Sequence, residues 1–184
     1  EVKRIDKQVN DNYKGYVEIT GDTEYINDLY QEYDNENNIL NLFENEYVIL
    51  TNSDLNKSYE LKYINGELID IKLPPSKIIK GLNSKQRCAL DLLNNKDIPI
   101  KVIAGNYGSG KTLLSIRMAL YHELDKGIYS KIMLVRNPIG SGQEIGFLKG
   151  TKEDKIKEFY KPIEQNLEGG EYQLQDMIQK GQLN

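Results

Sequence analysis

The chain has 184 residues, of which 39% are hydrophobic and 28% charged, the balance of an ordinary globular protein with one domain or two small ones. No apolar run approaches the roughly 20 residues of a membrane helix, the polar first thirty residues carry no secretory pattern, and the single cysteine, Cys88, excludes an internal disulfide and suits a reducing cytoplasm. The net charge of -4 is unevenly spread: residues 1–60 hold 14 Asp/Glu against 5 Lys/Arg, residues 61–184 hold 14 against 19. An acidic front repels a nucleic-acid backbone, whereas a mildly basic back attracts phosphate.

In chain order, the β-prone run Tyr13 to Thr20 stops at Gly21-Asp22, and Asp22 or Thr23 is placed to cap a helix over Glu24 to Tyr33. Glu46 to Leu50 reads as a strand. Ser58 to Ile64 and Glu67 to Leu73 flank Asn65-Gly66, whose tolerance of positive φ predicts a hairpin with a type I′ turn. These segments predict a small β-rich or barrel-like module. Eight of the thirteen tyrosines fall in residues 1–63. They suit either stacking on single-stranded bases or filling a small core, and the acidic charge favours the core. Pro74-Pro75-Ser76 breaks the pattern and marks a boundary.

Beyond it, Leu82 to Leu93 reads as a helix. Asn83 is its cap, Gln86 is placed to reach back to the Asn83 amide, and Ala89, Leu92 and Leu93 share a buried face. Ile98 to Ala104 and Lys131 to Arg136 read as strands on either side of a helix over Leu113 to Leu124. That connection is long enough to make the two strands parallel. A glycine-rich loop follows from Asn137 to Gly146. Thr151 opens a helix running to about Leu167, and Glu171 to Lys180 is a last helical segment.

The chemistry is concentrated in Gly105-Asn106-Tyr107-Gly108-Ser109-Gly110-Lys111-Thr112, which fits G-x-x-x-x-G-K-[ST] between strand and helix patterns. Glycines let the backbone wrap round phosphates with its N–H groups inward, and the helix that follows adds its positive end. Lys111 reaches the β- and γ-phosphates and is the candidate catalytic residue. The Thr112 hydroxyl is the candidate Mg²⁺ ligand. The whole loop with Leu113 is the candidate ATP site. A ligand-free glycine-rich turn does not require Lys and Thr directly after the last glycine.

Gln86 is explained by capping, yet a glutamine amide also pairs in two places with the N6/N7 edge of adenine. The two roles are compatible. His122, the sole histidine, has no sequence partner and reads as a surface residue. The Lys152 to Lys161 run is interleaved with acids and reads as a solvated helix face. Nothing after Arg136 reads as an apolar strand ending in Asp or Glu, so the acidic partner for Mg²⁺ is expected beyond Asn184.

With Gln86, the phosphate loop, Val135-Arg136 and Gly142-x-Glu144-Ile145-Gly146-Phe147-Leu148-x-Gly150 in view, the back half resembles the PhoH-like ATPase family. Its departures are Asn137 and Lys149 where the family has proline, and Asn106, Tyr107 and Ser109 within the loop. The front module is similar to the region between the nuclease-like and ATPase domains of longer members. The resemblance implies an α/β fold: an incomplete parallel βαβ P-loop core over residues 76–184, preceded by a β-rich module over 1–75. It implies ATP and Mg²⁺ as cofactors, RNA or single-stranded nucleic acid as partner, no membrane, and a ring-shaped homo-oligomer. The Gln86 helix and loop also resemble the start of a superfamily 1 DNA helicase. A third reading is a nucleotide-dependent interaction module without catalysis.

Overall fold

The computed structural model describes residues 13–34, 37–135 and 160–184, and it is a mixed α/β protein. The chain divides into two compact units, one of residues 1–73 with Gly81–Asp91, the other of Pro74–Lys80 with Leu92–Asn184. One division falls at the Pro74-Pro75 break, between Leu73 and Pro74, and another falls inside a helix, between Asp91 and Leu92.

The first unit is built on a four-stranded sheet of β1 (Tyr16–Gly21), β2 (Tyr47–Asn52), β3 (Lys57–Ile64) and β4 (Glu67–Asp70), in that spatial order. β1 and β2 are parallel, joined through helix α1 (Thr23–Asp34), and the other pairs are antiparallel. The parallel βαβ unit therefore lies in the front module, and the sheet is open rather than barrel-like. Asp22 caps α1, its Oδ1 accepting the Tyr25 N–H at 2.8 Å. Asn65 and Gly66 have φ of 51° and 90°, the pair of positive angles a type I′ turn requires, and they set Ile64 opposite Glu67.

Alternation along the strands gives the sheet two working faces. Val17, Ile19, Val48, Leu50, Leu61 and Tyr63 pack with Ile26, Leu29 and Tyr33 of α1. The opposite positions, Tyr16, Glu18, Tyr47, Glu60 and Lys62, meet helix α2 (Ser84–Asn94) through polar contacts. β2 is covered on both faces, which explains its unbroken Tyr-Val-Ile-Leu run.

In the second unit, α3 (Lys111–Leu120) runs on into a π-helical turn, Tyr121–Asp125, followed later by a helical turn over residues 160–164 and α4 (Gly170–Gln179). Leu120, Ile163, Leu167, Leu174, Met177 and Leu183 form its core. The two expected strands of this unit are only partly realised. Ile98 to Ala104 has no strand assignment, and Ile100 and Val102 are 82% and 80% exposed. Ile132 forms an isolated parallel bridge with Leu183 instead of pairing with the 98–104 stretch. Its N–H reaches the Gln182 carbonyl at 2.7 Å, and the Leu134 N–H reaches the Asn184 carbonyl at 2.8 Å. A parallel strand is stable only between neighbours and under cover on both faces, and the 98–104 stretch has neither among the described residues. Arg136 to Gly150, the Lys152–Lys157 cations and the start of the Thr151 helix lie outside the described residues.

Candidate functional site

The glycine-rich turn leads directly into α3, whose N-cap is Gly110 at φ 89° with no side chain capping it. The first helical hydrogen bond runs from the Leu114 N–H to the Gly110 carbonyl at 2.9 Å. The amides of Lys111, Thr112 and Leu113 therefore start the helix without intrahelical acceptors, as the first turn of any α-helix does. Gly105 and Gly108 have φ of 153° and 76°, so with Gly110 three glycines carry the positive φ that lets the backbone curl back on itself.

Lys111 is drawn into that curl. Its Nζ donates to the carbonyls of Gly105 at 2.8 Å and Asn106 at 2.7 Å, and lies 3.4 Å from Ser109 Oγ. The loop is closed by the Ser109 N–H on the Asn106 carbonyl at 3.3 Å. A cation and a row of helix-start amides thus share one exposed turn, the combination an oligophosphate needs. Thr112 and Leu113 are exposed on the first turn of α3, and Tyr107 is fully exposed. The Thr112 hydroxyl is a hard oxygen donor of the kind Mg²⁺ takes, and it fits a site that retains several waters. A cavity of about 310 Å³ lies elsewhere, lined by Tyr160, Glu164, Leu174 and Ile178, and includes no loop residue.

Gln86 belongs to the first unit, the loop to the second. The cap of α2 is Asn83, whose Oδ1 accepts the Gln86 N–H at 2.9 Å. Gln86 Oε1 accepts from Leu82 N–H at 2.8 Å, one residue earlier than the Asn83 amide expected from the pattern. The buried face of α2 is also rotated from expectation: Cys88, Leu90 and Asp91 are buried, while Ala89, Leu92 and Leu93 are half-buried.

Sequence reasoning missed the polar interior that holds this helix. Asp91, 2% exposed, accepts from Tyr47 Oη at 2.6 Å, Lys62 Nζ at 2.8 Å and the Lys72 N–H at 2.6 Å. Burial, then the hydrogen bond to Asp91, raise the Tyr47 pKa. Of the front tyrosines, Tyr33 is buried in the core with Tyr30 and Tyr63 packed against it, Tyr13, Tyr25 and Tyr59 are exposed, and the Tyr47 hydroxyl ends on a buried carboxylate rather than in water. The available signal was an acid at 91 three residues after Cys88, on the face that otherwise packs. His122 is likewise buried, not on the surface. Its Nε2 lies 3.3 Å from Asn94 Oδ1, and its pKa is lowered by burial and by Lys101 and Lys96.

Comparison with known proteins adds what the geometry alone leaves open. A family model described as PhoH-like protein matches residues 78–184. The chain belongs to the PhoH-like family. It is 42% identical over 90 residues to Protein PhoH2 of Bacillus subtilis, covering 49% of this chain and 20% of that protein. It is 39% identical over 80 residues to Protein PhoH2 of Thermobispora bispora, covering 42% and 18%. A PhoH-like protein of Bacillus subtilis is 28% identical over 109 residues, covering 58% and 33%. The chain thus spans about a fifth of the PhoH2 relatives it matches. No solved structure matches it. Among the described residues, no helix is long and apolar enough to cross a membrane.

Proposed function

We propose that this chain is the ATP-binding part of a PhoH-like ATPase. The observation that carries the reading is the Lys111 ammonium, held on the Gly105 and Asn106 carbonyls at the start of α3. In this reading Lys111 leaves those carbonyls for the β- and γ-phosphates. The backbone amides from Gly108 to Leu113 take the remaining phosphate oxygens, with Asn106, Tyr107 and Ser109 completing the loop. Thr112 holds Mg²⁺, which offsets the negative charge on those phosphates. Gln86 reads adenine through its amide. RNA or single-stranded nucleic acid as the polymer acted on, and a homo-oligomeric ring, are proposed from the family resemblance.

Replacing Lys111 with Ala removes a charge-assisted bond to each of two phosphates. ATP affinity, measured by calorimetry, is expected to fall roughly a hundredfold. Unchanged affinity refutes the assignment. Because no acidic partner for Mg²⁺ is recognisable in the sequence, turnover of the chain alone is expected well below about 1 per second.

A further inference from the structure

β1 forms one edge of the front sheet. It runs beside β2 in an unbroken parallel register, from Tyr16 opposite Tyr47 to Gly21 opposite Asn52, and among the described residues no strand lies on its other side. Two bonds fix its backbone pattern: the Tyr47 N–H meets the Gly15 carbonyl at 3.1 Å, and the Ser53 N–H meets the Gly21 carbonyl at 2.9 Å. Successive strand residues turn their N–H and C=O groups to opposite sides, so Gly15, Val17, Ile19 and Gly21 serve β2. The N–H and C=O groups of Tyr16, Glu18 and Thr20 point away from the sheet.

Sheet edges are ordinarily blunted by brevity, proline, lysine or a bulge. β4, at the far edge, is four residues long and carries Glu67 and Asp70. β1 has six residues, with no proline, lysine or bulge. Its one charge, Glu18, pairs with the exposed Lys85 of α2 at 3.3 Å, and the same ammonium stands 4.9 Å from the Tyr16 ring centroid. On the opposite face Val17 and Ile19 are only half-buried against the core, whereas Val48 and Leu50, one strand further in, are fully buried. A further strand beyond β1 would cover Val17 and Ile19 in the same way.

We infer that β1 is an interaction edge that pairs antiparallel with β1 of a second copy of this chain. Only residues 16, 18 and 20 have outward groups to exchange. A two-fold axis through Glu18 therefore sets Glu18 opposite its counterpart and Tyr16 opposite Thr20 of the second copy, each as a hydrogen-bonded pair. Val17 then lies opposite Ile19 of the second copy, an aliphatic pair that extends the core face. At the axis two Glu18 carboxylates meet two Lys85 ammoniums, so each carboxylate has a cation beside it and the direct repulsion between acids is offset. That self-complementarity selects a second copy over an unlike partner. The contact is isologous and closes at two copies, apart from the ring proposed above. No residue of the phosphate loop takes part. One ladder covers less than the roughly 1,200–2,000 Å² of a stable complex, so the dimer forms reversibly and at high concentration.

The test is sedimentation equilibrium of the full chain from about 10 μM to 1 mM, where a monomer–dimer equilibrium is expected. Thr20→Pro removes an outward N–H and no bond to β2. Glu18→Lys and Lys85→Glu each leave like charges at the axis, and the double exchange restores the alternation. With folds checked by circular dichroism, each single variant is expected to weaken the dimer roughly tenfold or more, and the double exchange to recover it to within about threefold. Hydrogen exchange at the amides of Tyr16, Glu18 and Thr20 slows as the wild-type concentration rises. A monomer throughout the range overturns the inference, and so does a dimer indifferent to Thr20→Pro, which would lie on another surface. A double exchange no tighter than the single variants overturns the two-fold register. Protection of those three amides at every concentration shows an edge covered within one chain and overturns the pairing as well.

Discussion

Asp91 concentrates the polar chemistry of the first unit in one side chain. Three donors converge on it, and one of them, Lys62, is itself only 5% exposed. Two charges out of water are tolerable together and costly apart. Asp91→Asn leaves the Lys62 ammonium buried with no counter-charge, and a loss of roughly 3–5 kcal/mol in stability is expected by chemical denaturation. Replacing both with apolar residues, Lys62→Met with Asp91→Leu, is expected to recover most of that loss. Equal stability of the single and double variants sinks the argument. Cys88, one turn before Asp91, shows the same environment from the thiol side. Burial, with Glu60 and Asp91 nearby, pushes its pKa up to about 12. The thiolate is the reactive form, so no labelling of the native protein by a thiol reagent at pH 8 is expected, and full labelling after denaturation. Rapid native labelling contradicts the placement.

At the scale of elements, those with local chemistry were readable and those defined by distant partners were not. The hairpin was legible because Asn65-Gly66 demands one turn, and α1 because Asp22 supplies its cap. The loop was legible because glycines, Lys111 and Thr112 are adjacent in the chain. The inner face of α2 was misread because a hydrogen-bonded acid, Asp91, packs inward and leaves Ala89, Leu92 and Leu93 half-buried. The strand at 98–104 was misread because a ladder belongs to its neighbours rather than to its own sequence. The π-helical turn after α3 carries no sequence mark, yet it buries His122 beside Asn94. Burial, Lys101 and Lys96 all lower the His122 pKa from 6.5. The unfolded chain therefore binds a proton that the folded unit resists, and stability falls as pH drops below about 6.5 towards the lowered folded value. Glu123, raised by burial, acts in the opposite sense across the carboxylate range. Thermal melts from pH 7 to 5 are expected to show a decline that His122→Gln removes. An unchanged decline in that variant assigns the effect to other groups.

The whole molecule partitions differently from its family boundary. The family match begins at residue 78, whereas Gly81–Asp91 belongs with the sheet of residues 13–73. Sequence composition pointed to Pro74-Pro75-Ser76 because proline interrupts the pattern there, and one division does fall before Pro74; the return of Gly81–Asp91 to the sheet is decided by long-range contacts. Asp91 meets Lys62 and Tyr47, and Arg87 meets Glu60. A chain cut at the proline break and covering residues 76–184 keeps the segment for α2 but loses every sheet residue that anchors it. Cys88, Leu90 and Asp91 become exposed, and an eleven-residue helix below the roughly 12–15 residues at which isolated helices become marginal does not hold by itself. Hydrogen exchange on that fragment is expected to show amides 84–91 unprotected, against strong protection in the full chain. The complementary fragment, residues 13–94, retains both faces of the sheet covered and is expected to melt in one cooperative step. Protection of amides 84–91 in the 76–184 fragment equal to the full chain defeats the argument, because the helix would then owe nothing to the sheet. The pattern of polar contacts predicts the opposite: the first helix of the family domain is held by residues that the family match does not contain.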